Sequence, residues 1–590
     1  MACAARWRAW YSNFKATSII GVMKITNIYS MVKGCARVVA IVVLMMMSAT
    51  PLYAQESRTK ADFELGKTTE ILANMMREIE TQFVDRVPAD KILKNASRGI
   101  VLATDPYLEY LSESDMAAFE VMTTGKYGGV GSLIRKKGDY VVFAQPYKGA
   151  PADVAGIKIG DKILAIDGKD MKGANVEDIS SNLKGDPESD VTVEVERCLD
   201  GTRESVTMRR RRISIPSVPY AGMLRDGVGY ICHNDFIDGS YDEVRRSVEA
   251  LMAEGELRGL VLDYRGNGGG IMQEAVDIVS LFVPRGERVV SVMGRDSSSL
   301  HHYTTSHTPL LQNIPIVVLV NGSSASASEI LAGALQDLDR AVVMGTRTYG
   351  KGLVQSTHHV GYNNYLKITT AKYYIPSGRC IHARDYSTLD SDGRVGIVPD
   401  SLITEYSTRG GRKVFDGGGI VPDIKVEPEY VSRFALTLYS MGYMEDWADE
   451  YMRRHVGESV DVRNFSLSDE EYDDFCRFIE DKDVPYESET RQALTALRKA
   501  AESERYDETI EASLDALEQM IKDDKMSNMQ IYRDEIVKAI NYELMLRYAY
   551  QEGAVENAVA NDKMVDDAVA LILDDEEYRR ILSEQDLHMH

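Results

Sequence analysis

At 590 residues the chain is longer than one hydrophobic core usually organises, so several domains are expected. Its formal net charge of −23 argues against nucleic-acid partners, whose phosphates demand a basic face. It carries six cysteines and no HExxH or comparable metal-ligand spacing, so no metal or other cofactor is expected.

Residues 1–54 read as a targeting segment. Lys24, Lys33 and Arg37 precede an apolar run, Val38 to Ala49, that is too short to span a bilayer comfortably. Pro51-Leu-Tyr-Ala54 then offers a cleavage point after Ala54, and Met23 is an alternative start. Export, to a periplasm or beyond, is the expectation; an uncleaved anchor with membrane association is the other reading. Cys198, Cys232, Cys380 and Cys476 remain beyond the leader, and spacing selects none of their three pairings.

Residues 55–123 read as helical, with Phe63, Ile71, Met75, Ile79 and Phe83 at roughly helical spacing. They suit either a plain helical cap or an arm for a second copy of the chain. Residues 124–212 read as a β-rich domain with short strands Tyr140–Phe143, Lys162–Ile166 and Val191–Val195. Its loop Tyr127-Gly-Gly-Val-Gly131 brings the N–H groups of Gly129, Val130 and Gly131 into succession. Such a run can hold a peptide's terminal carboxylate, and it also makes an ordinary turn. The basic run Arg209 to Arg212 is taken as a solvated strand end or domain contact.

Residues 213–430 alternate buried strands (Val228–Cys232, Arg258–Asp263, Pro315–Val320, Ala341–Met344) with helices over 241–253 and 273–282. That is the pattern of a largely parallel α/β sheet, whose sites lie beyond the strand C-termini. Two such ends carry chemistry. After Val320, Ser326-x-x-Glu329 opens a helix. On that pattern alone it reads first as a capping box; the alternative is a nucleophile beside free helix N–H groups suited to an oxyanion. After Asp263, Gly268-Gly-Gly270 is a tight turn able to face it, with Gly269, or else Gly268 or Gly270, and Ala327 as oxyanion donors. Lys351, between Gly350 and Gly352, is either a surface lysine or a general base; the second role requires desolvation, since lysine ordinarily titrates near 10.4. Gln355 could orient its amine. Gly345 to Gly352 imitates a phosphate loop, but Gly352 replaces the Ser or Thr that holds magnesium, and no helix follows; a nucleotide site is rejected.

Residues 431–590 form an acidic helical tail with an apolar stripe Ile510, Leu514, Leu517 and Ile521 and no evident chemistry. Packing against the core or a second subunit is expected.

The run SASASEILAGALQD followed by GKGLVQ resembles the carboxyl-terminal processing (tail-specific) serine proteases. The segments GLVLDYRGNGGG at 259–270, TAKYYIPSGR at 370–379 and GGGIVPD at 417–423, and an Asp105-Pro-Tyr loop, resemble the same family. The likeness runs from about residue 65 to 430; the tail matches poorly. It implies a PDZ domain over 124–212 before a ClpP/crotonase-like α/β protease core, flanked by helical regions. It also implies a Ser326–Lys351 dyad with Gln355, and protein or peptide substrates presenting free C-termini. A non-catalytic PDZ adaptor is the alternative, and a histidine base (His301 or His358) is a rival mechanism.

Overall fold

The computed structural model describes residues 60–105, 107–389, 395–428, 430–506, 508–521 and 525–583. The predicted leader lies outside them. The chain separates into two compact units, Met1–Thr104 and Asp105–His590. In the first, α1 spans 60–82 and α2 spans Ala89–Thr104, so the predicted apolar periodicity there is helical.

The second unit begins with a departure from expectation. Glu109–Leu111 is a strand, β1, before α3 at Met116–Thr124. Local propensity yields here to tertiary pairing, because β1 lies antiparallel on a distant strand with Glu109 opposite Lys367 and Leu111 opposite Tyr365.

The β-rich domain follows. It contains β2 (Lys126–Gly129), β3 (Ser132–Lys137), β4 (Tyr140–Pro146), α4 (Pro151–Val154), β5 (Lys162–Ile166), β6 (Lys169–Asp170), α5 (Val176–Leu183), β7 (Asp190–Glu196), β8 (Arg203–Arg209) and β9 (Arg211–Ser214). The order β3-β4-β5-β7-β8 makes its sheet, with β6 on β5, while β2 and β9 pair and bring the domain's ends together. Alternate residues of β7, Val191, Val193 and Val195, point into a core with Phe143, Ile163 and Ile179. The basic run is not wholly solvated. Arg210 is buried and donates to the carbonyls of Asn182, Leu183 and Asp190, capping the end of α5.

The α/β core holds β10 (Tyr220–Met223), β11 (Val228–Cys232), α6 (Ser240–Glu254), β12 (Gly259–Asp263), α7 (Met272–Val279), β13 (Arg288–Gly294), β14 (His301–Thr304), β15 (Ile316–Val320), α8 (Ala327–Asp337) and β16 (Val342–Gly345). Then come β17 (Leu353–Gly361), β18 (Asn364–Tyr374), β19 (Arg384–Leu389), β20 (Val395–Ile397), β21 (Glu405–Ser407), β22 (Lys413–Phe415) and β23 (Ile424–Lys425). The main sheet runs β10-β11-β12-β15-β16-β23 and is parallel except for β10. A second, antiparallel sheet holds β1, β18, β13 and β14, with β17 on β18.

The main strands are apolar throughout because both faces are covered. Leu260, Leu262, Val318 and Val320 pack with α6, α7 and α8. The alternate residues Val261, Val317 and Leu319 pack instead with Val565, Val569, Ile572 and Tyr578. Those last four come from the C-terminal helices. The tail comprises α9 (Arg433–Ser440), α10 (Tyr443–Arg454), α11 (Asp469–Glu480), α12 (Glu489–Glu504), α13 (Glu508–Met520), α14 (Lys525–Ile531), α15 (Arg533–Ala560), α16 (Lys563–Leu573) and α17 (Asp575–Ser583). Its first helices surround their own core of Trp447, Tyr472, Phe475 and Leu544. Its last two close the far face of the main sheet. There the Tyr578 hydroxyl both accepts from Ile316 N–H and donates to Ile316 C=O, at 2.9 Å each. The four remaining cysteines are free thiols.

Candidate active site

Ser326 stands where β15 turns into α8, with φ 56° and ψ −111°. A non-glycine residue in such a region costs on the order of 1–3 kcal/mol and persists only where neighbours hold it. Here the Ser326 N–H donates to Glu329 Oε2 at 2.8 Å, which is the glutamate half of the predicted capping box. The Ser326 carbonyl accepts from Ile330 N–H (2.9 Å) and from the buried Tyr373 hydroxyl (3.2 Å). One residue earlier, Ala325 N–H donates to the carbonyl of Asn267, which also takes the Ser328 hydroxyl. The turn is thus held from its own helix, from β18 and from the glycine loop.

That loop abuts the serine. Gly269 has φ +96°, and a Cβ built on it would lie 2.8 Å from Ser326 Cβ and 2.9 Å from Ala327 N. Only glycine fits. Of the two oxyanion candidates, Ala327 N–H donates to no acceptor among the described residues. Gly269 N–H is already committed to Asn267 Oδ1 at 2.9 Å. Gly268 and Gly270 line the same cleft, and their amides donate to no acceptor among the described residues.

Lys351 reaches the cleft from a loop beyond β16, and its flanking glycines have a packing reason. A Cβ at Gly350 would stand 2.5 Å from Ala383 Cβ, and one at Gly352 would stand 2.8 Å from His382 N. The Lys351 Nζ donates to Gln355 Oε1 at 2.9 Å and lies 5.1 Å from the centre of the Tyr107 ring. No carboxylate pairs with it within 4 Å among the described residues. Burial pulls its pKa below the ordinary lysine value, and Lys367 adds to the effect against Asp105, Glu329 and Glu109.

Glu329 joins the two halves, a role its capping pattern did not disclose. Fully buried, it accepts from Ser326 N–H, Lys351 N–H (2.8 Å), Gly350 N–H (2.7 Å) and the Thr348 hydroxyl (2.5 Å). Burial raises its pKa, and those four donors oppose the rise. Tyr107, Asn267, Thr348 and Tyr373 also escaped sequence reading, because each is tied to the site by a partner distant in the chain: Gln355, Ala325, Glu329 and Ser326 respectively.

Ser326, Lys351, Gln355 and Gly268–Gly270 line one cleft of about 480 Å3 with Phe119 and Met122 of α3 and Tyr373. His301 and His358 do not line it. Nor do Gly129, Val130 and Gly131, which sit in the β-rich domain, where Gly131 adopts φ +74°. There the carbonyls of Val130 and Gly131 accept from Ala152 and Tyr147, while their N–H groups donate to no acceptor among the described residues.

Sequence comparison decides the family. The "Carboxy-terminal-processing protease" of Bartonella bacilliformis is 30% identical over 355 residues, 60% of this chain and 79% of the relative. The profile described as Peptidase family S41 matches residues 227–403. The chain belongs to peptidase family S41. It is a serine peptidase of the carboxy-terminal-processing type, with a PDZ domain (matched over 142–197) ahead of the S41 core. A non-catalytic adaptor is not favoured. Staphylococcus aureus has a "Probable CtpA-like serine protease" 34% identical over 385 residues, 64% of this S41 peptidase and 72% of the relative. A solved photosystem II D1 C-terminal processing protease is 27% identical, covers 61% of this chain and 87% of its own, and superposes with a TM-score of 0.33. The tail, which the sequence left open, matches a profile of its own over residues 434–572, "Probable PDZ-protease, C-terminal helical domain".

Proposed function

We propose that this S41 peptidase is an exported endopeptidase acting on proteins that present free C-termini, with Ser326 as nucleophile and Lys351 as general base. The observation that carries the assignment is the convergence of the two in one cleft, with the lysine half-buried and, among the described residues, its amine hydrogen-bonded only to a neutral amide, Gln355. Burial holds this amine's pKa below the ordinary lysine value, so it gives up its proton more readily than an exposed lysine and can then accept the serine's. Ser326 Oγ then attacks the peptide carbonyl, and Lys351 passes the proton to the leaving amine, leaving an acyl-serine that water hydrolyses by the reverse sequence.

Ala327 N–H and one amide of the Gly268–Gly270 turn stabilise the oxyanion. Because Gly269 N–H is held by Asn267, either that bond opens on substrate binding or a neighbouring glycine supplies the donor. The PDZ loop at Gly129–Gly131 takes the substrate's terminal carboxylate, supported by the successive amides of Val130 and Gly131. The basic leader followed by the apolar run supports export with cleavage after Ala54. Among the described residues no helix is long and apolar enough to cross a membrane. A second copy of the chain is the proposed partner for the N-terminal helices.

The test is hydrolysis of an unstructured protein with an apolar C-terminus by the wild-type chain and by Ser326→Ala. Cleavage lost in the variant, with tail binding kept, supports the assignment; cleavage retained overturns it.

A further inference from the structure

The segment just before β1 lies over Lys351 and Gln355. Gln355 makes two hydrogen bonds with its amide: Oε1 accepts from Lys351 Nζ, and Nε2 donates to the carbonyl of Tyr107. The Tyr107 ring covers the same amine. Tyr107 is fixed in turn. Its N–H donates to Asp105 Oδ1 (2.9 Å), Asp105 Oδ2 takes the Thr369 hydroxyl of β18 (2.5 Å), and two residues on β1 joins β18.

We infer that Tyr107 is a positioning residue for the general base: its ring and carbonyl roof the Lys351–Gln355 pair, orient the amine and exclude water from it. This rests on the reading of Lys351 as base. The charged groups facing Lys351 are Lys367 from β18, Asp105 and Glu109 from the strap, and Glu329 from α8. Asp105, Glu109 and Glu329 favour the ammonium, so exclusion of water is the influence that draws the amine's pKa down. The ring face also attracts a cation. Burial is nevertheless the largest influence on this lysine. Uncovering the amine therefore raises its pKa and lowers its neutral fraction at a given pH.

The experiment compares full-length wild type, Tyr107→Phe, Tyr107→Ala, Thr369→Val and Lys351→Ala. It follows kcat and KM for an unstructured protein substrate across pH. It also follows the pH midpoint of Lys351 acetylation by acetic anhydride, read by mass spectrometry without turnover. Tyr107→Ala is expected to move the acid limb of kcat and the acetylation midpoint to higher pH by about one unit, with kcat recovering at alkaline pH. Tyr107→Phe, which keeps ring and carbonyl, restores the wild-type midpoint. An unmoved midpoint in Tyr107→Ala, or a Phe variant as shifted as Ala, overturns the roof while an inactive Lys351→Ala leaves the dyad standing. An active Lys351→Ala overturns both. Should Tyr107→Ala fail to fold, Thr369→Val decides the matter, since it loosens the strap through Asp105: the same upward shift supports the roof, and an unmoved acetylation midpoint refutes it.

Discussion

Replacing Gly269 by alanine tests whether the glycine turn seats the nucleophile. Two costs follow from the structure. A Cβ at φ +96° adds about 1–2 kcal/mol of backbone strain. It would also stand 2.6 Å from Ala325 O, 2.8 Å from Ser326 Cβ and 2.9 Å from Ala327 N. Carbon atoms settle at about 3.5–4.0 Å, so the serine turn or the glycine loop must move by roughly 1 Å. A displacement of that size at a reacting group costs on the order of 10²-fold, or about 2.7 kcal/mol of transition-state stabilisation. Gly266 supplies the control: it has φ +78° in the same loop, and a Cβ there meets nothing within 4 Å. Gly266→Ala therefore carries the strain alone. The assay is kcat/KM on an unstructured protein substrate, with thermal unfolding of both variants. Gly269→Ala is expected to fall about 10²-fold in kcat/KM below Gly266→Ala. Rates within about threefold of each other would refute the reasoning, because a threefold change is under 1 kcal/mol.

Lys351→Arg should abolish turnover, since guanidinium does not deprotonate, and wild-type kcat/KM should climb with pH as the lysine loses its proton below its ordinary range. A lysine whose folded pKa is depressed weakens the fold at pH values below that folded pKa, and the weakening fades as pH rises toward the unfolded value. Lys351→Met should therefore raise Tm at neutral pH while removing activity; an unchanged or lower Tm would contradict it. Glu329→Gln presents an NH2 to two of its four present donors. At about 1.5–3 kcal/mol per hydrogen bond to a charged group, roughly 3–6 kcal/mol is lost before the relief of no longer burying a charge. Both Tm and kcat should drop, and a variant with wild-type kcat would show that the link between serine and lysine loops is not needed. Tyr578→Phe removes the hydroxyl that Ile316 N–H donates to and leaves that buried N–H unpaired, at about 1–3 kcal/mol. Urea unfolding should report the loss while kcat at low temperature stays unchanged, whereas unchanged stability would separate the C-terminal helices from the core.

Contiguous patterns were legible from the residues alone. The β-branched runs Val228–Cys232 and Ile316–Val320 are buried strands because their composition suits no other environment, and Ser326 begins a helix because its capping spacing is local. Gly350-Lys351-Gly352 and Gln355 share one short segment, so their order along the chain already places them together. What the strands are buried against was not legible. The outer face of the main sheet is covered by α16 and α17, some 250 residues beyond Val317 and Leu319, and an amphipathic tail does not say which surface it covers. The strand at Glu109–Leu111 was hidden for the same reason, since its partner at 365–367 decides its conformation.

The chemistry divides likewise. Sequence by itself determined the identities of nucleophile and base candidates, their order along the chain and the glycines that let backbone approach them. Tertiary structure alone decided that Glu329 bridges the serine and lysine loops, that Asn267 holds the Gly269 amide, and that Tyr107 covers the lysine. Those facts depend on burial and on hydrogen bonds between segments far apart in the chain, and burial is a property of the folded whole that no stretch of sequence carries alone.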